Sequence, residues 1–333
     1  MASSVSVDRV PQIHHPIKSV SGFSKFISAS IAATLLMVTS VSHADINPKE
    51  LRIGYQKYGT LLLLKADGAL DKRLAQQGIT VKWTEFPGGP QLLEGLNVGA
   101  IDYGVVGEAP PIFAQAAGAP IVYVANEPPA PAGEAVVVQK NSTIKSFAEL
   151  KGKKIALNKG SNVHYLLVKL LEKYGIAYKD IQPIYLAPAD ARAAFERGAV
   201  DAWVIWDPFL AAAQQQIGAK VIADGKNLVN NTQFYLASRS YATARPDVLS
   251  VVLDETAKKD IWVSKNIKDA ATALSPSVGL SADILELSFQ RSGFGVKPVT
   301  PAVLAQQQQI ADVFYQQKLI PKPLKVADAA LKK

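Results

Sequence analysis

Apolar positions from residue 51 onward follow two rhythms in turn. Short runs, alternating or continuously apolar, are separated by longer stretches whose apolar residues recur every three or four positions, the patterns of strands and helices. "LRIGYQ" (Leu51 to Gln56) predicts a strand, "TLLLLKADGALDKRLAQQ" one helix and "ITVKWTEF" a strand. "PGGPQLLEGLNVG" predicts a helix with Pro90 in its first position, where the missing N–H costs nothing, and Gly99 at its end. "IDYGVV", "GEAPPIFAQAAG" and "PIVYVA" then read as strand, loop with helix, and strand. "NEPPAPAG" (Asn126 to Gly133) is the clearest break and predicts a crossover. The alternation resumes with "EAVVVQ", a short helix in "SFAELKG" and the strand "KKIALN". In "SNVHYLLVKLLEKYG", Val163, Leu166, Leu167, Leu170 and Leu171 share one helical face, with Ser161 as cap and Gly175 as stop. "IQPIYL", "ADARAAFERG", "VDAWVIW", "DPFLAAAQQQIG" and "AKVIAD" continue the pattern, "QFYLASRSYA" predicts a returning strand, and helices follow from Pro246. Strands alternating with helices predict α/β architecture built from parallel βαβ units.

One stretch occurs twice. "GAIDYGVV" (Gly99 to Val106) returns as "GAVDAWVI" (Gly198 to Ile205), each copy following a helix-like run. Two similar lobes account for the duplication. In each, the Gly ends a helix, the aliphatic enters a strand, and Asp102 or Asp201 marks the strand's start. The motif is a packing device, and it locates the strand ends where open α/β sheets bind ligands. The expected division is a leader at 1–44, a first lobe of 45–127 with 237–333, and a second lobe of 128–236.

The leader changes the picture. Lys18 and Lys25 precede the uncharged run Phe26 to Val41, and "SHA" follows. Basic segment, apolar core and small-x-small site predict a signal peptide cut after Ala44, too short and too rich in Ser and Thr for a membrane anchor. The chain of 333 residues contains no Cys, so it forms no disulfide and carries no lipid-anchored cysteine. A periplasmic monomer is expected. The balance of 36 Lys and Arg against 28 Asp and Glu, net +8, favours anionic partners. The lysines are scattered without interleaved aromatics, which argues against nucleic acid.

Reactive chemistry is scarce. With the leader removed, His164 is the one histidine left, so neither a multi-histidine zinc site nor a cysteine nucleophile is available. No G-x-S-x-G elbow, P-loop or G-x-G-x-x-G follows a strand. A Ser-His-Asp triad through His164 stays open on composition alone, with no motif behind it. No catalytic residue, metal or cofactor is expected. A binding protein asks only for glycine-containing loops at strand ends and for helix N-termini offering free N–H groups. The loops are "YQKYGT" with Gln56, "PGGP" with Gly88, Gly89 and Pro90, "GEAPP" with Gly107 and Glu108, and "NKGSNVH" with Gly160, Ser161, Asn162 and His164. "WVIWDPF" adds Trp206 and Asp207 at another strand end, while Trp203 falls on the opposite, core-facing side.

"RIGYQK", "EFPGGPQLLEGLNVGAID", "PPIFAQAAGA", "NKGSNVH", "YLAPADARAAFERGAVDAWVIWDP" and "FYLA" carry a resemblance. From Leu51 to about Ala237 the chain is similar to the aliphatic-sulfonate-binding proteins of bacterial ABC importers, relatives of taurine, nitrate and thiamine-precursor binders. The resemblance implies a two-lobed periplasmic binding protein fold of type II-like form, each lobe a βαβ sheet with flanking helices. It further implies a cleft closing on a small anionic sulfonate, a membrane permease as partner, and the periplasm of a Gram-negative bacterium. Nitrate, taurine and aromatic sulfonates are the alternative ligands. A hydrolase, or a thiamine-precursor synthase on the same fold, is the alternative class, and the synthase needs a cysteine cluster that this chain lacks. The chain departs from its relatives at Asn162 and Val163, where small hydroxyl residues are common, and at Glu108, where a shorter Asp also occurs. For a three-oxygen anion, the expected donors are Gln56, His164, the Ser161 hydroxyl and the N–H groups of Gly88, Gly89, Gly160, Ser161 and Asn162. Trp206 would wall the tail, and Glu108 would face an amine or hydroxyl on it or cap a neighbour.

Overall fold

The computed structural model describes residues 47–331, so the expected leader and its cleavage point lie outside the described residues. The first half runs β1 (Glu50–Tyr55), α1 (Gly59–Asp67), α2 (Ala69–Ala75), β2 (Thr80–Glu85), α3 (Gly89–Asn97), β3 (Tyr103–Val106), α4 (Pro110–Ala116) and β4 (Ile121–Asn126). After the crossover come β5 (Glu134–Val138), β6 (Lys154–Leu157), α5 (Asn162–Lys173), β7 (Gln182–Tyr185), α6 (Pro188–Glu196), β8 (Ala202–Trp206), α7 (Phe209–Ile217) and β9 (Lys220–Asp224). A second crossover leads to β10 (Phe234–Ser238), α8 (Arg239–Ala244), α9 (Pro246–Lys265), α10 (Ile267–Val278), α11 (Ala282–Gln290) and α12 (Pro301–Gln316).

The strands form two five-stranded sheets with matching orders, β2-β1-β3-β10-β4 and β7-β6-β8-β5-β9. The parallel βαβ units predicted from the alternation are present, with one exception in each sheet. β10 runs antiparallel to β3 and β4, and β5 runs antiparallel to β8 and β9. Both are the strands reached by a crossover. A strand entered without an intervening helix starts where its neighbour ends: Glu134 opposes Trp206, and Phe234 opposes Val106. All strand-end loops of the parallel strands, and both crossovers, therefore gather at one edge of each sheet.

The duplicated stretch is one device built twice. α3 and α6 each end in a Schellman turn: Ala100 N–H donates to Gly95 O (2.8 Å) and Ala199 N–H to Ala194 O (2.9 Å). Gly99 and Gly198 sit between these bonds at φ 72° and 70°, the left-handed region that a side chain resists. The aspartates then fasten strand to strand. Asp102 N–H donates to Arg52 O (2.8 Å), and its Oδ2 accepts Arg52 N–H (2.9 Å). Asp201 N–H donates to Lys154 O (2.8 Å), and its Oδ2 accepts Lys154 N–H (2.7 Å). Asp102 is also clamped by the Arg52 guanidinium, with Nη2 at 2.6 Å from Oδ1.

The segment predicted as one helix after β1 is two, because Gly68 adopts φ 65° and its N–H closes onto Leu64 O. Leu61, Leu62, Leu63 and Leu64 are all buried, so the first part of α1 lies inside the core beside α9 and α10, while its last turn, Lys65 to Asp67, is exposed. "SFAELKG" forms only a 3-10 turn (Phe147–Leu150), held by a capping box between Ser146 and Glu149. α7 of the second half meets α11 through Ala211, Ala212 and Ile284.

The twin aspartates should matter for folding and not for binding. We expect Asp102→Ala to cost about 2–3 kcal/mol, since Arg52 loses a charged partner, and Asp201→Ala about 1 kcal/mol. Denaturant unfolding measures both, and anion titration of the same variants should stay near wild type.

Candidate functional site

A narrow cleft lies at the gathered edges. It is lined by residues that follow β1 (Gln56), β3 (Gly107) and β8 (Asp207), and by residues that precede β5 (Gly133) and β10 (Gln233). Three helices begin on it, α1 at Gly59, α3 at Gly89 and α5 at Asn162. None of their N-cap residues, Tyr58, Gly88 and Ser161, caps its helix with a side-chain hydrogen bond. Each N-terminus thus brings main-chain N–H groups unanswered by a cap, and the positive end of a helix dipole. Arg291 adds a guanidinium from the loop after α11. An anion with several oxygens suits this arrangement.

Side chains around the cleft form a connected amide network. Gln56 Nε2 donates to Val105 O (3.1 Å) and to the Tyr58 hydroxyl (3.3 Å), which donates to Gln233 Oε1 (2.8 Å). Gln233 Nε2 reaches Asn231 Oδ1 at 3.3 Å, and Asn231 Nδ2 holds Ala130 O at 2.9 Å. Asn162 Nδ2 donates to Asn231 Oδ1 (3.0 Å) and to Glu134 Oε2 (2.5 Å). Both Asn162 amide hydrogens are thereby used within the wall. Trp206 also lines the cleft, against Phe209, while Trp203 is core beside Phe195.

Of the residues expected from sequence, Gln56, Gly89, Gly107, Asn162, Trp206 and Asp207 meet in the cleft. The others are placed differently. His164 is fully buried, its Nδ1 accepting Gly160 N–H (3.1 Å) and its Nε2 paired with the Tyr178 hydroxyl (2.9 Å). Phe113 stacks on the ring, and burial pushes its pKa down to about 4, with the Lys159 charge helping. It is a neutral packing group, not an anion donor. The same contact takes the Gly160 N–H, and the Ser161 hydroxyl donates to Asn158 O, so neither faces a ligand. Glu108 turns away from the cleft, its Oε2 accepting Thr232 N–H (3.1 Å) while its own carbonyl accepts from Gln307 Nε2 (2.9 Å). Pro90 lies in the first turn of α3, one position later than predicted because the helix begins at Gly89, and it lines an outer groove with Phe113. Gly88 sits at the seam, where a Cβ would lie 3.2 Å from Asn158 Nδ2.

Arg291, Tyr58, Asn231 and Gln233 were not legible as site residues. Arg291 approaches both Asp207 oxygens at 3.5 Å and donates to Gln214 Oε1 at 2.8 Å. Its sequence signal is the pair Gly293 and Gly295 just beyond it. A Cβ on Gly293 would come within 2.4 Å of Pro128 O, so only glycine lets this loop lie against the first crossover. Burial raises Asp207 to about 6, against the lowering charge of Arg291. Glu127, at the cleft's edge, accepts from the Tyr235 hydroxyl (2.5 Å), and burial with the nearby Asp260 charge holds it above the usual carboxylate range.

Comparison with known proteins places the molecule. Residues 74–258 match the family model described as NMT1/THI5 like. The chain belongs to the NMT1/THI5-like family. This NMT1/THI5-like chain is 44% identical over 302 residues to an aliphatic sulfonates-binding protein of Escherichia coli K12, covering 90% of this chain and 94% of the relative. The alkanesulfonate-binding protein SsuA from Xanthomonas axonopodis pv. citri, solved bound to MOPS, superposes with a TM-score of 0.83 at 41% identity, over 87% of this chain and 100% of that one. The periplasmic aliphatic sulphonate binding protein SsuA from Escherichia coli gives a TM-score of 0.77 at 44% identity, over 86% and 93%. The fold is that of periplasmic binding proteins, and these relatives are binding proteins.

Two substitutions separate packing from ligand contact. His164→Ala should cost about 2–4 kcal/mol of stability through the cavity it leaves, with anion affinity nearly unchanged. The depressed folded pKa means His164 supports the fold above its ordinary 6.5 and withdraws that support as pH falls towards 4, a loss the variant should lack in acid unfolding curves. Gly107→Ala should do the opposite. Its Cβ would stand 2.9 Å from Asn162 Cβ across the seam, and we expect about 1–3 kcal/mol weaker anion binding by calorimetry.

Proposed function

We propose that this chain is the substrate-binding component of an ABC importer, capturing alkanesulfonates in the cleft and delivering them to a membrane permease. The observation that carries the reading is the meeting of three helix N-termini, none capped by a side chain, with Arg291 in one cleft. A sulfonate spreads one charge over three oxygens and stays ionised, so fixed N–H donors suit it better than titrating groups. Trp206 and Phe294 supply apolar wall for a short tail. Residues 1–44 act as a signal peptide in this reading, and the mature protein works as a periplasmic monomer. Its lobes are 45–127 with 237–333, and 128–236, which follow the two sheets except that the whole of β10 pairs in the first. No catalytic step is assigned, in keeping with the relatives at 41–44% identity, which are binding proteins. Asp207 on the cleft wall favours a second reading, in which the sulfonate also carries an amine, as taurine does.

Thermal shift ranks the ligands. At 100 times its dissociation constant a ligand adds about 2.7 kcal/mol, a melting shift of roughly 5–10 °C for a unit of this size. Short alkanesulfonates should lead, with matching carboxylates behind because a two-oxygen head leaves a fixed donor unpaired, and sulfate behind because it has no tail for the apolar wall. Taurine in first place selects the second reading, and nitrate in first place rejects both. Arg291→Ala should lower sulfonate affinity by about 1.5–3 kcal/mol.

A further inference from the structure

Two carboxylates lie behind the cleft wall that an anion site has no evident use for. Glu134 opens β5 and is fully buried. Its Oε2 takes one Asn162 amide hydrogen at 2.5 Å, and its Oε1 has no partner. Glu108 follows β3 and is equally buried. Its Oε2 takes the Thr232 N–H at 3.1 Å, and its Oε1 also has no partner. Asn162 and Asn231, bonded to each other at 3.0 Å, join the surroundings of the two acids, and both amides line the cleft.

The groups facing this pair are neutral or acidic. α5 contributes Asn162 and Tyr165, the second crossover contributes Asn231 and Thr232, and Trp206 opposes Glu134 on β8. Glu108 is the charge acting on Glu134, and among the described residues no basic side chain acts on either acid. Two uncompensated buried carboxylates repel each other and lose their hydration, so full ionisation is strongly disfavoured. Burial raises Glu108 to about 7 and holds Glu134 well above the carboxylate range.

We propose that Glu108 and Glu134 together hold a proton linked to anion capture, so that ligand entering the cleft draws a proton onto the pair. This rests on reading the cleft as an anion site. An anion against Asn162 raises the cost of negative charge directly behind it, and proton uptake relieves that cost. By reciprocity, losing the proton weakens the anion. Glu134 is thereby a positioning residue: as an acid it still accepts from Asn162 and holds the start of α5 without opposing the ligand.

Calorimetric titration of propanesulfonate tests this in imidazole and in Tris, buffers that are not themselves sulfonates. The difference in heat between the buffers counts protons. Net uptake is expected between pH 7 and 8, with affinity falling by up to about tenfold per pH unit once the pair titrates. Glu134→Gln and Glu108→Gln should each reduce the uptake and flatten that profile. The free protein gives an independent reading. With folded pKa values raised above 4.5, the pair supports the fold fully below 4.5 and loses that support as pH rises, Glu108 through about 7, a slope either variant should lessen. If Glu134→Gln fails to fold, Glu108→Gln carries both measurements. Binding without proton exchange in the wild type overturns the proposal. Uptake undiminished in the variants also overturns it, assigning the proton to Glu127, Asp260 or Asp207. Absence of any sulfonate binding is a separate failure, and removes the anion reading itself.

Discussion

Two main-chain hydrogen bonds between the crossovers set the geometry on which the rest of this molecule depends. Glu127 N–H donates to Gln233 O, and Ala130 N–H to Asn230 O, each at 2.9 Å. They hold the outgoing and returning chain side by side. Each crossover must therefore leave and arrive at the same edge of its sheet, which turns β5 and β10 against their neighbours. It also collects the loops after the parallel strands, and the helices those loops open, around a single cleft. Lys297 bonds reciprocally with Asn126 (2.8 and 3.0 Å), and Gly293 presses on Pro128, so the C-terminal loop bearing Arg291 is fixed to the same segment.

That geometry creates an electrostatic problem as well as a site. Helix N-termini and one guanidinium make the cleft attractive to an anion, yet five carboxylates lie on or behind its walls. The structure handles them differently. Asp207 is answered by Arg291 and by Ala211 N–H at 2.9 Å. Asp260 takes the Thr60 hydroxyl and Gly295 N–H, while Glu127 takes the Tyr235 hydroxyl. Glu108 and Glu134 receive only partial hydrogen bonding and no cation. Burial raises all five. The charge facing a ligand is thus lower than the count of acidic residues suggests.

Wherever the physics is local, the sequence announces the structure. Schellman glycines at Gly99 and Gly198, the apolar face of α5 and the proline opening α3 each depend on residues within one or two turns. The repeat is legible as a sequence match, although its aspartates bond residues 50 and 47 positions earlier, on the adjacent strands. One local signal misled: the helical rhythm before Gly68 looks continuous with that after it, because an isolated Gly inside a helical pattern is compatible with one helix as well as with a stop. Sequence likewise brought Gln56, Gly89, Gly107, Asn162, Trp206 and Asp207 forward, since loops at strand ends share an edge in any α/β sheet.

Direction within those loops was beyond its reach. His164 and Glu108 occupy loop positions that suit ligand contact, and both point elsewhere, because Phe113 and Tyr178 in one case and Thr232 in the other supply nearer partners. Arg291 stands far along the chain from every loop it joins, and only the packing of its glycine-flanked segment on the first crossover brings it to the cleft. Sequence alone determined the elements, the duplication and the edge at which a ligand would bind, for these follow from short-range periodicity and turn chemistry. Tertiary structure decided which side chains face that ligand and which carboxylates lose their water, because both depend on neighbours contributed by distant parts of the chain.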